Sequence, residues 1–241
     1  KYNLIKIKEN KFNTNNIFNK NFSFIYLANP NQPTGKYIDK KKVLNIVKRA
    51  KKKGIFVIID EAYIDFSKFK SMSSFVRKFN NLVVLKTFSK SYGLAGLRIG
   101  YLIANKNFNR IVNCVRPTFD VSHFSIKVAE YLLRNKKIKN LYIKKVKLSK
   151  EYLINQCKKR NLKFIDTETN FFYIKVPKNK VKKIYNFMFL KKILIRTSYL
   201  ENFKNLTNSI RITVGDIYLM KKFFKIFDKV YREKGILWFV H

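Results

Sequence analysis

Residues 55–63 read IFVIIDEAY: five apolar residues in a row, then two acids, an alanine and a tyrosine. A strand with one face in water alternates polar and apolar positions, so this unbroken run reads as a strand buried on both faces. Outward from it, Gly54 closes a helical stretch that Asp39 caps, with Val43, Ile46, Val47 and Ala50 on one face. Before that helix, residues 22–28 (FSFIYLA) form another apolar run, which feeds the turn-rich NPNQPTG of residues 29–35. After residue 63 the pattern predicts a short helix at 73–79, a third strand at 82–85 and a fourth at 99–104. Strands that alternate with helices and are apolar throughout define an α/β fold: a mostly parallel sheet with helices on both faces. In such sheets the chemistry collects in the loops beyond the strand ends, where the polar motifs of this chain lie.

From Val121 the pattern changes. A lysine-rich helical stretch runs to about Arg160, followed by shorter strands at 171–176, 193–196 and 209–214 and a last helix at 216–232. This second block reads as a smaller α+β domain. With the boundary near Lys137, residues 1–137 form the larger, site-bearing domain and residues 138–241 the smaller one. The apolar tail GILWFVH (235–241) has no assigned role.

The 241 residues are 46% hydrophobic, enough for one substantial core or for a large domain with a small one. The formal net charge is +39. Taken alone, that suggests nucleic acid or an anionic membrane. The excess is mostly lysine, however, spread along the chain and accompanied by much Asn, Ile, Phe and Tyr, the residues of AT-rich codons. It therefore reads as solvated helix faces, and neither a nucleic-acid nor a membrane partner is expected. A positive field of this size still favours phosphorylated, anionic ligands. No apolar run reaches the length of a membrane span, and nothing at the start reads as a signal peptide. Cys114 and Cys157 have no metal-ligand spacing and suit a reducing, cytoplasmic compartment.

The densest motif is TFSKSYGLAGLRIGY, residues 87–101. Lys90 sits between Ser89 and Ser91 in a turn after a buried strand. Thr87, Ser89 and Ser91 offer hydroxyls, Gly93 and Gly96 let backbone approach closely, and Arg98 can grip a phosphate with two parallel hydrogen bonds. These features describe a Schiff-base lysine beside a phosphate cup; a structural turn is the alternative. Asp60 either caps the residues that follow it or, in a pyridoxal-phosphate site, keeps the pyridine nitrogen protonated. Tyr63 could then donate to the cofactor's phenolic oxygen. His123 reads as a helix-start residue.

In this order, NPNQPTG (29–35), DEAYIDF (60–66), the Lys90 motif, ETNFF (168–172) and IRITVG (210–215) resemble the class I/II aminotransferases of fold type I. Among these the chain is most similar to the histidinol-phosphate aminotransferases, over residues 22–232. The resemblance implies a pyridoxal 5'-phosphate cofactor held by Lys90, which also moves the proton. It places Asp60 at the pyridine nitrogen, Tyr63 and Gln32 at the ring oxygen, and Thr87, Ser89 and Arg98 at the phosphate. Arg211 would bind the substrate's anionic group, assisted by Arg196, with Asn170 at the edge of the site. The activity it implies is transamination of histidinol phosphate or a related amine with 2-oxoglutarate, in histidine biosynthesis, by a homodimer. Rival readings are a threonine-phosphate decarboxylase, a general aromatic or amino-acid aminotransferase and, more remotely, a non-catalytic or nucleic-acid-binding chain. Two departures stand out. Gln32 occupies a position where the family usually carries Asn, and the long N-terminal portion of family members, with its stacking aromatic, does not precede residue 22. The chain is therefore expected to be a fragment.

Overall fold

The computed structural model describes residue 18, residues 22–197 and residues 203–232. The apolar tail at 235–241 lies outside these. Four strands form the first sheet: β1 (Phe24–Ala28), β2 (Phe56–Asp60), β3 (Leu82–Thr87) and β4 (Gly100–Ile103), in spatial order β1-β2-β3-β4. β1, β2 and β3 run parallel, with Ala28 opposite Asp60 and Asp60 opposite Leu85. β4 is antiparallel to β3. A parallel return needs a long crossover, usually a helix; residues 88–99 contain only a 3-10 turn at Ala95–Leu97, so β4 folds straight back.

Helix α1 (Lys40–Lys52) begins at Asp39, whose Oδ1 accepts the Lys41 N–H at 2.8 Å. Its Val43, Ile46, Val47 and Ala50 are fully buried against Val57, Ile59, Leu82 and Val84. The Asn81 side chain donates to the carbonyls of Val47 and Ile55, joining the helix to the start of β2. The strands are not uniformly buried. In β1, Ile25 and Leu27 are in the core while Phe24 and Tyr26 are about half exposed. The first face packs on α1; the second carries Tyr26 and Asp60.

Beyond β4 come α2 (Lys106–Val115), α3 (His123–Arg134) and α4 (Lys136–Lys159), with α3 and α4 meeting at Asn135. His123 opens α3 and is exposed. β5 (Phe164–Ile165), β6 (Phe171–Lys175) and β7 (Ser209–Thr213) make a second, antiparallel sheet; α5 (Val181–Leu190) and α6 (Ile217–Arg232) complete this part. Phe171, Phe172, Tyr173 and Ile174 of β6 are all buried, against a core that includes Leu153 of α4, Met188 of α5 and Phe224 and Phe227 of α6. Arg160 ties α4 to α6 through paired bonds to Asp228, both 2.7 Å. No helix of the described residues is long and apolar enough to cross a membrane.

Two expected elements differ. Residues 73–79 hold no α-helix, only a 3-10 turn at Met72–Phe75. Residues 193–196 form no strand: Lys192 is left-handed, with φ of 57°, and only Arg196 reaches β7, as a single bridge to Arg211.

The second sheet grips the loop that leaves β1. Gly35 has φ of +69°, and a Cβ there would fall 2.3 Å from Thr167 Cβ. The Glu168 N–H donates to the Gly35 carbonyl at 2.8 Å. The Tyr173 hydroxyl donates to the Pro33 carbonyl. The Glu168 carboxylate accepts from Ser67 Oγ at 2.9 Å and from the Lys68 N–H at 3.2 Å. Gly35→Ala should therefore destabilise the chain by on the order of 1–3 kcal/mol, the usual cost of overpacking, with the positive φ adding to it. The denaturation midpoint measures this; an unchanged midpoint would show that the contact yields freely.

Candidate active site

The carboxyl ends of β1, β2 and β3 open into a cavity of about 390 Å³. Its lining includes Gln32, Asp60, Tyr63, Thr87, Ser89, Lys90 and Arg98, together with Ala28, Pro30, Ala62, Leu85 and Lys86. Most of the residues singled out in the sequence thus share one cavity. Asn170, Arg196 and Arg211 are not among its lining.

Asp60 caps the turn that follows it: Oδ1 accepts the Ala62 N–H at 2.9 Å. Its other oxygen, Oδ2, accepts the Tyr26 hydroxyl at 2.5 Å. Burial, and then the Asp60 carboxylate beside it, push the Tyr26 phenol far above its ordinary value of 10.0. The Tyr63 hydroxyl donates to Gln32 Oε1 at 2.9 Å, so the longer amide is not left loose. The Lys90 ammonium stands over the Tyr63 ring, 5.5 Å from its centroid, a cation–π distance. Thr87 Oγ1 accepts the Ser89 N–H at 3.1 Å. Arg98 has φ of 51° and an exposed guanidinium whose Nη1 donates to the Ala95 carbonyl at 3.2 Å.

Ser91 departs from the expectation that it offers its hydroxyl to the site. It is buried, and its Oγ donates to Asp65 Oδ2 at 2.6 Å. Next to Asp60, Glu61 is buried and has no share in the cavity. Its carboxylate accepts from Lys86 Nζ at 2.6 Å, Ser71 Oγ at 2.5 Å and the Met72 N–H at 2.6 Å, which neutralises it in place.

Arg211 lies on β7 opposite Tyr173. Its guanidinium sits over the Phe171 ring at 5.0 Å, and Phe171 meets Tyr63 edge-on at 5.4 Å. Lys90, Tyr63, Phe171 and Arg211 are thus linked by successive contacts. Arg211 Nε and Nη1 are buried, and among the described residues nothing accepts from either. Buried donors without partners are rare and costly. Arg196 exchanges both backbone hydrogen bonds with Arg211, but its side chain is exposed. Asn170 is buried, and its carbonyl accepts the Val214 N–H at 2.8 Å.

Tyr26, Glu61, Asp65, Ser71 and Lys86 are polar residues of this region to which sequence reasoning gave no part. In a strand, residues two apart share a face, so Tyr26 stands on the same side as Ala28, and the pairing of Ala28 with Asp60 is what brings the phenol to the carboxylate.

An acid, a phenol and a lysine gathered at the carboxyl ends of parallel strands define an enzyme site of the open α/β kind. The chain belongs to the class I and II aminotransferase family, whose model matches residues 7–226. It is similar to the histidinol-phosphate aminotransferase of Campylobacter jejuni, 35% identical over 219 residues that cover 86% of this chain and 57% of that one. Among solved structures it resembles the L-threonine-O-3-phosphate decarboxylase of Porphyromonas gingivalis, with 25% identity, a TM-score of 0.75, and coverage of 88% of this chain and 66% of that one. The fold is shared by the histidinol-phosphate aminotransferase of Sinorhizobium meliloti, solved in complex with pyridoxal-5'-phosphate, at 22% identity and a TM-score of 0.74, over 87% of this chain and 57% of that one. The chain spans little more than half the length of the curated relative.

The raised Tyr26 phenol has a consequence for alkaline stability. Folding favours its protonated form, so its contribution is complete below pH 10.0 and is lost as pH rises towards the folded value. Tyr26→Phe should remove that part of the alkaline decline. Chemical denaturation of both proteins across this range measures it; parallel declines would refute the Tyr26–Asp60 bond.

Proposed function

We propose that this chain acts in a pyridoxal-phosphate-dependent aminotransferase that takes histidinol phosphate as amino donor and 2-oxoglutarate as acceptor. The observation that carries the reading is the placement of the Lys90 amine over Tyr63 in the cavity that also holds the Asp60 carboxylate. These residues fit the cofactor. Lys90 supplies the amine that holds its carbonyl carbon, Asp60 the carboxylate for its pyridine nitrogen, Tyr63 and Gln32 the polar pair for its ring oxygen, and Thr87, Ser89 and Arg98 donors for its phosphate. When bound, the cofactor supplies an electron sink for the substrate's reacting carbon.

The protein's own part is to bind, orient and move protons. Asp60 Oδ1 is fixed by the Ala62 N–H, so the carboxylate has one orientation to offer. The Lys90 amine, once released, moves the proton at the substrate's reacting carbon. The unpartnered Nε and Nη1 of Arg211 suit an anionic group of the substrate. Arg196 adds a second cation from the neighbouring backbone position, and two guanidiniums suit a phosphate monoester better than a single carboxylate. Asn170 borders the same strand end. In this reading the enzyme is a homodimer of the cytoplasm. The similarity to a threonine-phosphate decarboxylase favours one other reading, in which the same site releases carbon dioxide from a phosphorylated amino acid; product analysis separates the two.

In a protein completed to the length of its relatives, pyridoxal phosphate should give a visible absorption band that borohydride fixes onto Lys90. Peptide mapping that found the label on another lysine would overturn the assignment. In the completed enzyme, Arg211→Ala should cost about 2–5 kcal/mol in kcat/KM, the range for truncating one partner of a buried charge pair. Arg196→Ala should reduce turnover of histidinol phosphate more than of histidinol; equal losses on the two substrates would favour a general amino-acid aminotransferase.

A further inference from the structure

We propose that Asp65 is the positioning residue for Lys90, acting through Ser91 and anchored by Lys139. The proposal rests on the reading of Lys90 as the cofactor lysine.

Asp65 lies in the 3-10 turn Ile64–Phe66, two residues beyond Tyr63. Each of its carboxylate oxygens is taken. Oδ2 accepts the Ser91 hydroxyl at 2.6 Å, and Oδ1 accepts Lys139 Nζ at 3.1 Å. Lys139, in the first turns of α4, also stands over the Tyr92 ring at 5.3 Å, and Tyr92 packs against Phe88 with centroids 4.8 Å apart. Ser91 and Tyr92 immediately follow Lys90. The lysine is therefore held from its carboxyl side by two contacts that both lead to Asp65 and Lys139. Asp65 is in turn tied through two peptide units to Tyr63, whose ring lies under the Lys90 ammonium.

A lysine side chain has four rotatable bonds, so its amine is located only as well as its backbone is held. Ser91 is fully buried, and a hydroxyl bonded to a carboxylate makes a strong, short hydrogen bond that fixes the direction of the chain at that point. The Asp65–Lys139 pair is largely withdrawn from water, with side chains 28% and 19% exposed. It holds the carboxylate aimed at Ser91. Removing either partner leaves the other turned towards the Lys90 turn without its counterpart.

Competitive acetylation of the folded chain without cofactor, read by mass spectrometry, follows each lysine separately. In Asp65→Ala and in Ser91→Ala, Lys90 acetylation should rise about tenfold, the equilibrium factor for losing one hydrogen bond to a charged group, while Lys68 and Lys127 keep the parent rate. Lys139→Met should give about a threefold rise, as befits a partly exposed ion pair, and Lys139→Arg should restore the parent rate. Ser91→Ala removes a single oxygen and decides the matter if Asp65→Ala fails to fold. An unchanged Lys90 rate in Ser91→Ala overturns the proposal, as does a rise shared by all lysines, which would mark Asp65 as a general structural residue. In parallel, cofactor binding is read from the visible band. A parent completed to the length of its relatives that gave no Lys90-linked band would defeat the functional reading, while acetylation still decides the positioning role.

Discussion

Parallel pairing sets Ala28 opposite Asp60 and Asp60 opposite Leu85, and so brings the carboxyl ends of three strands into one line. Register in a sheet is all or nothing: a slip of one residue would turn Asp60 to the α1 face and Glu61 towards the cavity. The slip is opposed from both sides. Val57 and Ile59 are buried against the apolar stripe of α1, and Glu61 is locked by Lys86, Ser71 and the Met72 amide. The two adjacent acids thus take opposite faces, one structural and one facing the site. The loops that carry Gln32, Tyr63 and Lys90 follow from where their strands end.

The second sheet contributes by holding those loops rather than by lining the cavity. It touches the NPNQPTG turn at Pro33 and Gly35, and it reaches Tyr63 through Phe171. The same ring of Phe171 that meets Tyr63 supports Arg211, so the lysine and the guanidinium are linked through one aromatic pair although they belong to different sheets. This is why a residue so far along the chain from Lys90 bears on the same chemistry.

Much of this was legible from residue order. The Asp39 cap, the buried stripe of α1 and the meeting of the strand ends follow from periodicity and from cap and turn chemistry, because each is local. The gathering of Gln32, Asp60, Tyr63, Thr87, Ser89, Lys90 and Arg98 followed from family motifs. What stayed hidden depended on pairings between distant segments. Nothing in FSFIYLA distinguishes Tyr26 from its apolar neighbours until Asp60 is beside it. Ser89 and Ser91 look equivalent around Lys90, yet Ser91 is turned away by Asp65. The run ILIR at 193–196 has strand composition, but the left-handed Lys192 and a single bridge at Arg196 leave it irregular. Arg211 could equally have made an internal ion pair; only its position over Phe171, with two donors unmet, separates the cases.

The chain holds 53 basic residues and 14 acidic ones, and the acids of the described residues are committed to specific partners almost without exception. Asp39 caps a helix, Asp60 takes Tyr26, Glu61 takes Lys86, Asp65 takes Ser91 and Lys139, Asp166 takes Lys150, Glu168 takes Ser67, and Asp228 takes Arg160. In a chain so crowded with lysine, a given cation carries little information, since most would be exchangeable for another a residue away. A carboxylate carries a great deal. The sparse acids trace the polar skeleton of the molecule the way a few rivets trace the frame beneath a uniform skin.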